Sequence, residues 1–532
     1  MHSYSSLDRL ESRRRIGNTF SRGTAPALPA RIAGPEERIN LRQSPIALVV
    51  LDTVRYQATN LDDPARKTTP FLERLAEQTV SYDQTRATSP WTLPSHASLF
   101  TGLHASEHGV SNVDPYLPAS FATLAELLGR GGYRTAAVSA NSWVGPDFGL
   151  HRGFDRFVRG WQLFDSDVDF AGKARLLSVN RADRIRKALA GHRARQWPTM
   201  LGNLGYVAYR SRGHFDGPRI ARLALKEAER GASDEQPLFL FVNFLDAHAP
   251  YAPPARYYRK FGVTRAEARK LDARRRKEGS GDAACKFSAG ALDFSESELS
   301  TFKRLYEAEI ARLDDIVSKF LPSLTRLLGD DATIVVTSDH GENVGEHGLL
   351  GHQFSVHETL LRVPLLIRYP GGEGAGERTS ALVQWQDLFA TLLALAGVEH
   401  EQTRSSRVLP GPPGGDPREL VYAEYPTVQP TADLLERRYP GANTRRIDRT
   451  LTTVVGSDLS KAIWGSDGGT ELYATAEDPW EQRPLEDDAL LGSLAEQRDA
   501  VQAQLRKVDD SEREQVEIDA EIKRQLEAIG YL

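Results

Sequence analysis

The chain has 532 residues, 40% of them hydrophobic, with 67 Lys and Arg against 72 Asp and Glu for a net charge of −5. That length supports a large buried core, and the mildly acidic balance excludes a global basic field for nucleic acid. Cys285 is the only cysteine, which rules out an intrachain disulfide and a cysteine-ligated zinc site.

In chain order, the opening segment MHSYSSLDRLESRRRIGNTF has no apolar stretch of the kind a secretory signal carries. No apolar run of about 18 residues occurs anywhere, so the expectation is a cytoplasmic chain without a membrane span. Residues 1 to about 42 are aperiodic and rich in Arg, Ser and Pro, and read as a disordered tail. IALVVLD, ending in Asp52, has the continuous apolar pattern of a strand buried in a parallel sheet. Thr69 and Pro70 open an amphipathic helical segment, FLERLAEQTVSY, with Thr as N-cap and Pro at the first helical position. A second helix covers FATLAELLGRGGY and stops at its glycines. TAAVSA, LFLFVNFLD, TIVVTSD and VPLLIRYP read as strands, and QDLFATLLALAG as a helix with a glycine stop.

Strands alternating with helices predict an α/β fold, a large, mostly parallel sheet flanked by helices over residues 43–400. Two inserts interrupt it. Residues 160–235 are helical in pattern and Arg-rich. Within residues 255–300, the stretch 255–279 holds ten Lys or Arg against three Asp or Glu. Two readings of this stretch are open, a solvated helix face or a rim that attracts an anionic substrate. RSSRVLPGPPGGDP is a loop by composition. After it come four short strand patterns, LVYAEYP, LTTVVGS, SKAIWGS and TELYATA, and a long charged helix from about residue 492. Residues 401–532 are therefore expected to form a smaller C-terminal antiparallel β plus helix unit.

In open α/β sheets, ligands bind at the carboxyl ends of strands. The polar residues there are Asp52, Asn141, Asp246 with His248, and Asp339 with His340. Two carboxylates and an imidazole suit a divalent cation such as Mn²⁺ or Zn²⁺, with Mg²⁺ or Ca²⁺ also tolerated. Each Asp alone also reads as a turn or helix cap. SPWTLPSHASLFTG, residues 89–102, sets Thr92 at the start of a helix for which Pro94 pre-sets φ. Free N–H groups and the positive dipole end there can cradle an anionic ester. A cation beside Thr92 would lower the pKa of its hydroxyl. The competing reading is that Thr92 merely caps the helix.

SPWTLPSHASLFTG resembles the signature of the sulfatase family, in the alkaline phosphatase superfamily, where Cys or Ser is followed by x-Pro-Ser-Arg and later Thr-Gly. LDTVR, GGYRTAAVSAN, GLHRGFDRF, FLDAHAPYAPP, TSDHGENVGEHGLLGH with HETLLRVPLLIRYPG, QDLFATLLALAGV and ELYATAEDPWEQRPL are similar to further family segments, in the right order over about residues 44–486. The resemblance implies an alkaline phosphatase-like fold and one metal ion held by Asp52, Thr92, Asp339 and His340, with Thr92 as nucleophile. It also implies that His248 contacts the substrate's oxygens or protonates the leaving group. His352 falls where many relatives place an oxyanion-binding Lys. His347 lies nearby, and for both a role in loop hydrogen bonding is the alternative. Asp246 either orients His248 or adds to a metal site.

Departures from the family pattern carry information. Thr92 stands where the family makes a formylglycine, and threonine would oxidise to a ketone, so no formylglycine is expected. His96 replaces the Arg that follows Pro-Ser, Thr53 replaces a second Asp, and SANSW replaces a segment that brings Lys and His. Asp-His replaces Asp-Asn at the second metal motif. With His96, His347, His352, Asn141 and Asp246 as substrate-binding candidates, the expectation is in-line displacement on a small anionic ester of sulfate or phosphate. Phosphodiesterases, phosphonate hydrolases and phosphoglycerol-type transferases are the alternatives from the threonine-bearing branch, and a non-catalytic binding protein is a third.

Overall fold

A computed structural model describes residues 43–164, 197–210, 215–232, 235–278, 282–401, 405–426, 442–444 and 447–505. The expected tail, residues 165–196 of the first insert and the end of the last helix lie outside the described residues.

Eight strands form the main sheet: β1 (Ile46–Leu51), β2 (Val80–Arg86), β3 (Arg134–Ser139), β4 (Arg156–Arg159), β5 (Leu238–Phe244), β6 (Thr333–Thr337), and, after the small ribbon β7 (Asn343–Val344) and β8 (Leu350–Gly351), β9 (Leu365–Arg368) and β10 (Arg378–Gln384). Their order is β10-β2-β9-β6-β1-β5-β3-β4. All neighbours are parallel except β9, which runs antiparallel to both β2 and β6.

The continuous apolar run of β1 follows from its central place. Ile46, Leu48 and Val50 enter one core, with α2 (Thr92–Thr101), α3 (Leu124–Arg130) and a helix near the end of the domain, Asp387–Leu395. Ala47, Val49 and Leu51 enter the opposite core, under α4 (Gly217–Ala232) and α5 (Glu296–Leu328). A strand covered on both faces has no use for polar alternation. The fold class is thus the one expected from the sequence. No helix among the described residues is long and apolar enough to cross a membrane.

The segment FLERLAEQTVSY departs from its expected helix. The helix there spans Pro70–Ala76 only, and Val80 already begins β2. Thr79 and Val80 are β-branched, and β2 finds hydrogen-bonding partners on both sides in β10 and β9, so sheet pairing overrides the helical pattern. Thr69 occupies the N-cap position without capping. Its hydroxyl instead accepts the Asn60 N–H at 2.7 Å. Asp314 of α5 takes over, accepting the N–H groups of Phe71 and Leu72 at 2.9 and 3.1 Å.

The second insert supplies three helices, Ala255–Tyr258, Arg265–Glu278 and Asp282–Ser288. On the middle one Leu271 and Arg275 are buried, whereas Arg265, Arg269, Lys270, Arg276 and Lys277 are exposed. At ~100° per residue these five cations fall within an arc of about 140°. Its carboxylates are engaged locally: Glu267 with Arg304, Asp272 with Arg275 and Arg276, Glu278 with Lys286.

The smaller sheet is antiparallel in sequential order, β11 (Leu420–Tyr425), β12 (Leu451–Gly456), β13 (Ser460–Gly465) and β14 (Thr470–Ala474). Leu494 of the terminal helix Asp488–Gln504 packs on Tyr422, Val454, Ala462 and Leu472. The other side of this sheet joins the main core: Ala423, Tyr425, Leu451, Ile463 and Tyr473 belong to the same apolar cluster as β1 and Trp385. A buried ionic chain crosses the same junction. Glu358 meets Arg86 Nη2 at 2.8 Å and Lys461 Nζ at 3.1 Å, and Lys461 meets Glu481 at 2.7 Å.

Candidate active site

Asp52, Asn141, Asp246 and Asp339 all follow strands of the parallel set, β1, β3, β5 and β6, whose carboxyl ends open on the same edge of the sheet. Thr92 is the first residue of α2, after an extended Trp91. Ser95 one turn on donates its hydroxyl to the Asp339 carbonyl at 2.8 Å, which ties this helix to the β6 loop.

The structure brings Asp52, Thr92, Asn141, Asp339 and His340 together. Thr92 Oγ1 lies 3.2 Å from His340 Nε2. His340 Nε2 lies 3.3 Å from Asp339 Oδ2. Asn141 Nδ2 donates to Asp52 Oδ2 at 2.8 Å and reaches Thr92 Oγ1 at 3.4 Å. The Trp143 N–H donates to Asn141 Oδ1 at 3.0 Å, so the amide is held with its NH₂ toward the hydroxyl. All five residues are at most 3% exposed.

The electrostatics of this group would suit a cation. Burial, reinforced by the facing charge of Asp339, pushes the Asp52 carboxyl well above its usual range. Burial likewise pushes Asp339 up to about 7, against hydrogen bonds from the Thr53 and His340 backbone. Among the described residues neither carboxylate meets a lysine or arginine, and Asp52 Oδ1 has no hydrogen-bond partner. His340 donates from Nδ1 to the Gly341 carbonyl at 2.8 Å. Burial holds this ring neutral, so Nε2 presents a lone pair. One ligand atom each from Asp52, Asp339 and His340 lies within 4.8 Å of the others. Two carboxylate oxygens, an imidazole nitrogen and a neighbouring hydroxyl fit a divalent ion of borderline hardness, and an orphaned buried carboxylate oxygen is costly without one.

His352 and His248 sit on the flank. The His352 ring centroid is 4.6 Å from that of His340 and 4.9 Å from that of His248. His352 Nδ1 meets Glu342 Oε1 at 3.1 Å. His248 directs Nδ1 at the Ala249 carbonyl. His96 is fully buried, donates from Nδ1 to the Thr92 carbonyl at 2.9 Å and stands 3.5 Å from Asp339 Oδ2. Burial lowers its pKa to about 4, so it cannot supply the charge of the arginine it replaces.

Two candidates contact residues outside this group. Asp246 accepts the Gly217 N–H at 3.2 Å and pairs with Arg312 at 3.1 Å. His347 stacks on His357 at 3.7 Å between centroids, and His357 in turn meets Glu471 at 3.0 Å. Sequence reasoning passed over Asn243, which donates to Asp52 Oδ2 at 3.4 Å, and Glu342. Asn243 was visible as the lone polar residue in LFLFVNFL, and Glu342 as the acid two positions beyond His340.

With this geometry in view, comparison with known proteins is decisive. The sulfatase family model matches residues 46–398. The chain belongs to the sulfatase family. It is 25% identical over 354 residues to the uncharacterized sulfatase YidJ of Escherichia coli, covering 64% of this chain and 65% of that one. It is 28% identical over 349 residues to choline-sulfatase of Rhizobium meliloti, covering 63% and 64%. This sulfatase-family chain thus spans just under two thirds of the length of these relatives. Its fold is similar to that of the phosphonate monoester hydrolase of Agrobacterium radiobacter, with a TM-score of 0.63 at 22% identity over 87% of this chain and 96% of that one.

Proposed function

We propose that this sulfatase-family chain is a divalent-metal-dependent hydrolase of small anionic esters, of sulfate or phosphate, with Thr92 as nucleophile. The observation that carries the reading is the Thr92 hydroxyl 3.2 Å from His340 Nε2, beside two buried carboxylates that meet no lysine or arginine among the described residues, with Asp52 Oδ1 left without a partner. Asp52, Asp339, His340 and Thr92 would hold the cation. When bound, it supplies Lewis-acid polarisation and lowers the pKa of the adjacent hydroxyl.

The chain's own residues do the rest. Thr92 Oγ1 forms a bond to sulfur or phosphorus as the bond to the leaving oxygen breaks in line. The first N–H groups of α2, the Asn141 amide and His352 face the non-bridging oxygens. His248 gives a proton to the departing alkoxide or phenoxide. Water then attacks the sulfur or phosphorus of the Thr92 ester and restores the hydroxyl. Without a formylglycine, that second step is a displacement at the central atom, and this favours phosphorus. A phosphodiester or phosphonate substrate is therefore the second reading, supported by Thr92 and by the fold shared with a phosphonate monoester hydrolase. A phosphoglycerol-type transferase would differ only in the acceptor. The exposed cations of helix Arg265–Glu278 support the anionic character of the substrate.

The test is a panel of nitrophenyl sulfate, phosphate monoester, phosphodiester and phosphonate monoester, assayed with Mn²⁺ or Zn²⁺ present. Turnover of one class that Thr92→Ala abolishes is the expected result. Metal binding without turnover of any ester would leave a binding protein, and activity persisting in Thr92→Ala would remove the nucleophile.

A further inference from the structure

Thr53, immediately after Asp52, has φ = 62°. A β-branched residue in the left-handed region is a strained outlier, and such residues persist only where their surroundings hold them there. Thr53 is fully buried, and its own hydroxyl has no hydrogen-bond partner among the described residues. The side chain therefore does not hold the backbone. Neighbours do. The Thr53 N–H donates to Asp339 Oδ1 at 3.2 Å, and the Thr53 carbonyl accepts the hydroxyl of Tyr306 at 2.7 Å.

Tyr306 comes from α5, outside the sheet, and is itself fully buried. Its oxygen also accepts the Arg55 N–H at 3.2 Å, so one hydroxyl bridges both sides of the turn at Val54. The turn is stitched to the second ligand-bearing loop. The Val54 N–H donates to Ser338 Oγ at 2.9 Å, and Ser338 Oγ donates to the His340 carbonyl at 2.8 Å. The torsion at the Thr53 Cα fixes the angle between an N–H aimed at Asp339 and a carbonyl aimed at Tyr306. A relaxed φ would swing one of these away and turn the peptide that follows Asp52.

We propose that Tyr306 is a positioning residue of the metal centre: its hydroxyl locks Thr53 in the left-handed conformation that aims Asp52 and Asp339 at one cation. This rests on the metal site of the proposed function. Groups that orient ligands from behind typically change metal affinity by ten- to a hundredfold. Tyr306 acts by holding a backbone that a threonine resists, so a residue without that resistance makes the lock dispensable. Glycine takes positive φ freely.

The experiment measures Mn²⁺ affinity by calorimetric titration of the metal-stripped full chain, with circular dichroism to check folding. Tyr306→Phe should bind Mn²⁺ about tenfold more weakly or worse. Thr53→Gly alone should stay within about twofold of the wild-type chain, because the turn is kept. The double variant should bind like Thr53→Gly. Tyr306→Phe with wild-type affinity overturns the proposal, and so does a double variant as weak as Tyr306→Phe, which would mean that the hydroxyl acts by a route other than the Thr53 torsion. Should Tyr306→Phe not fold alone, equal affinity in Thr53→Gly and the double variant supports the lock, and a tenfold gap between them overturns it. A wild-type chain that binds no Mn²⁺ overturns the metal site itself, and this proposal with it.

Discussion

His340 Nε2 and Thr92 Oγ1 stand 3.2 Å apart although 248 positions separate them in the chain. With Nδ1 committed to the Gly341 carbonyl, Nε2 is left to accept the Thr92 hydroxyl. Replacing the hydroxyl by a methyl of the same shape tests this arrangement directly. Thr92→Val should fold with a similar melting temperature and lose at least about a thousandfold in kcat, whereas Thr92→Ser should keep measurable turnover. Steady-state kinetics on the best nitrophenyl ester reads both.

His248 as proton donor predicts a dependence on the leaving group. His248→Gln should cost little with nitrophenol, which departs without help. With an alkyl ester the loss should reach about a hundredfold or more. A plot of log kcat/KM against leaving-group pKa should steepen in the variant, and an unchanged slope would assign the proton to another residue.

Metal removal should be visible as stability. A ligand that binds only the folded state at a hundred times its Kd stabilises by about 2.7 kcal/mol. Chelation should therefore lower the melting temperature by several degrees, and added Mn²⁺ or Zn²⁺ should restore it. Asp52→Asn should melt at the same temperature with and without metal.

Away from the centre, Glu309 is fully buried beside Arg312, which it shares with Asp246. Burial is the main cause that raises Glu309 from 4.5 to about 8. The folded chain therefore holds a proton that the unfolded chain releases near 4.5. The stability this contributes is present below that value and is lost as pH rises to 8, by at most about 1.4 kcal/mol per pH unit. Urea denaturation from pH 5 to 9 should show this decline in the wild type and a flatter profile in Glu309→Gln.

Much of this fold was legible because the signals were of the right length. IALVVL, TAAVSA and TIVVT are short apolar runs with polar residues just past their carboxyl ends, and that pattern singled out Asp52, Asn141, Asp339 and His340 as candidates, which the fold brings together. β2 was hidden because the helical reading of FLERLAEQTVSY runs on into its first residues, Val80 to Tyr82, and its identity depends on β9 and β10, encoded nearly 300 positions later. Asp246 is less legible for a related reason. Its place after β5 makes it a candidate to orient His248 or to add to a metal site, and nothing local reveals that Arg312 on α5 and the backbone of Gly217 also reach its Oδ1. The strain at Thr53 has no sequence signature, since Thr-Val reads as ordinary strand. The contacts that hold it come from Asp339 and from Tyr306, both more than 250 residues away.

The junction between the two sheets bears on how this protein can be handled in pieces. Because Tyr425, Leu451, Ile463 and Tyr473 complete the apolar cluster that contains β1, a fragment ending near residue 400 would expose greasy surface behind the strands of its main sheet. Glu358 would also lose the ammonium of Lys461. Such a fragment is a recipe for aggregation, and any expression vector meant to yield folded material for assay must carry the second sheet.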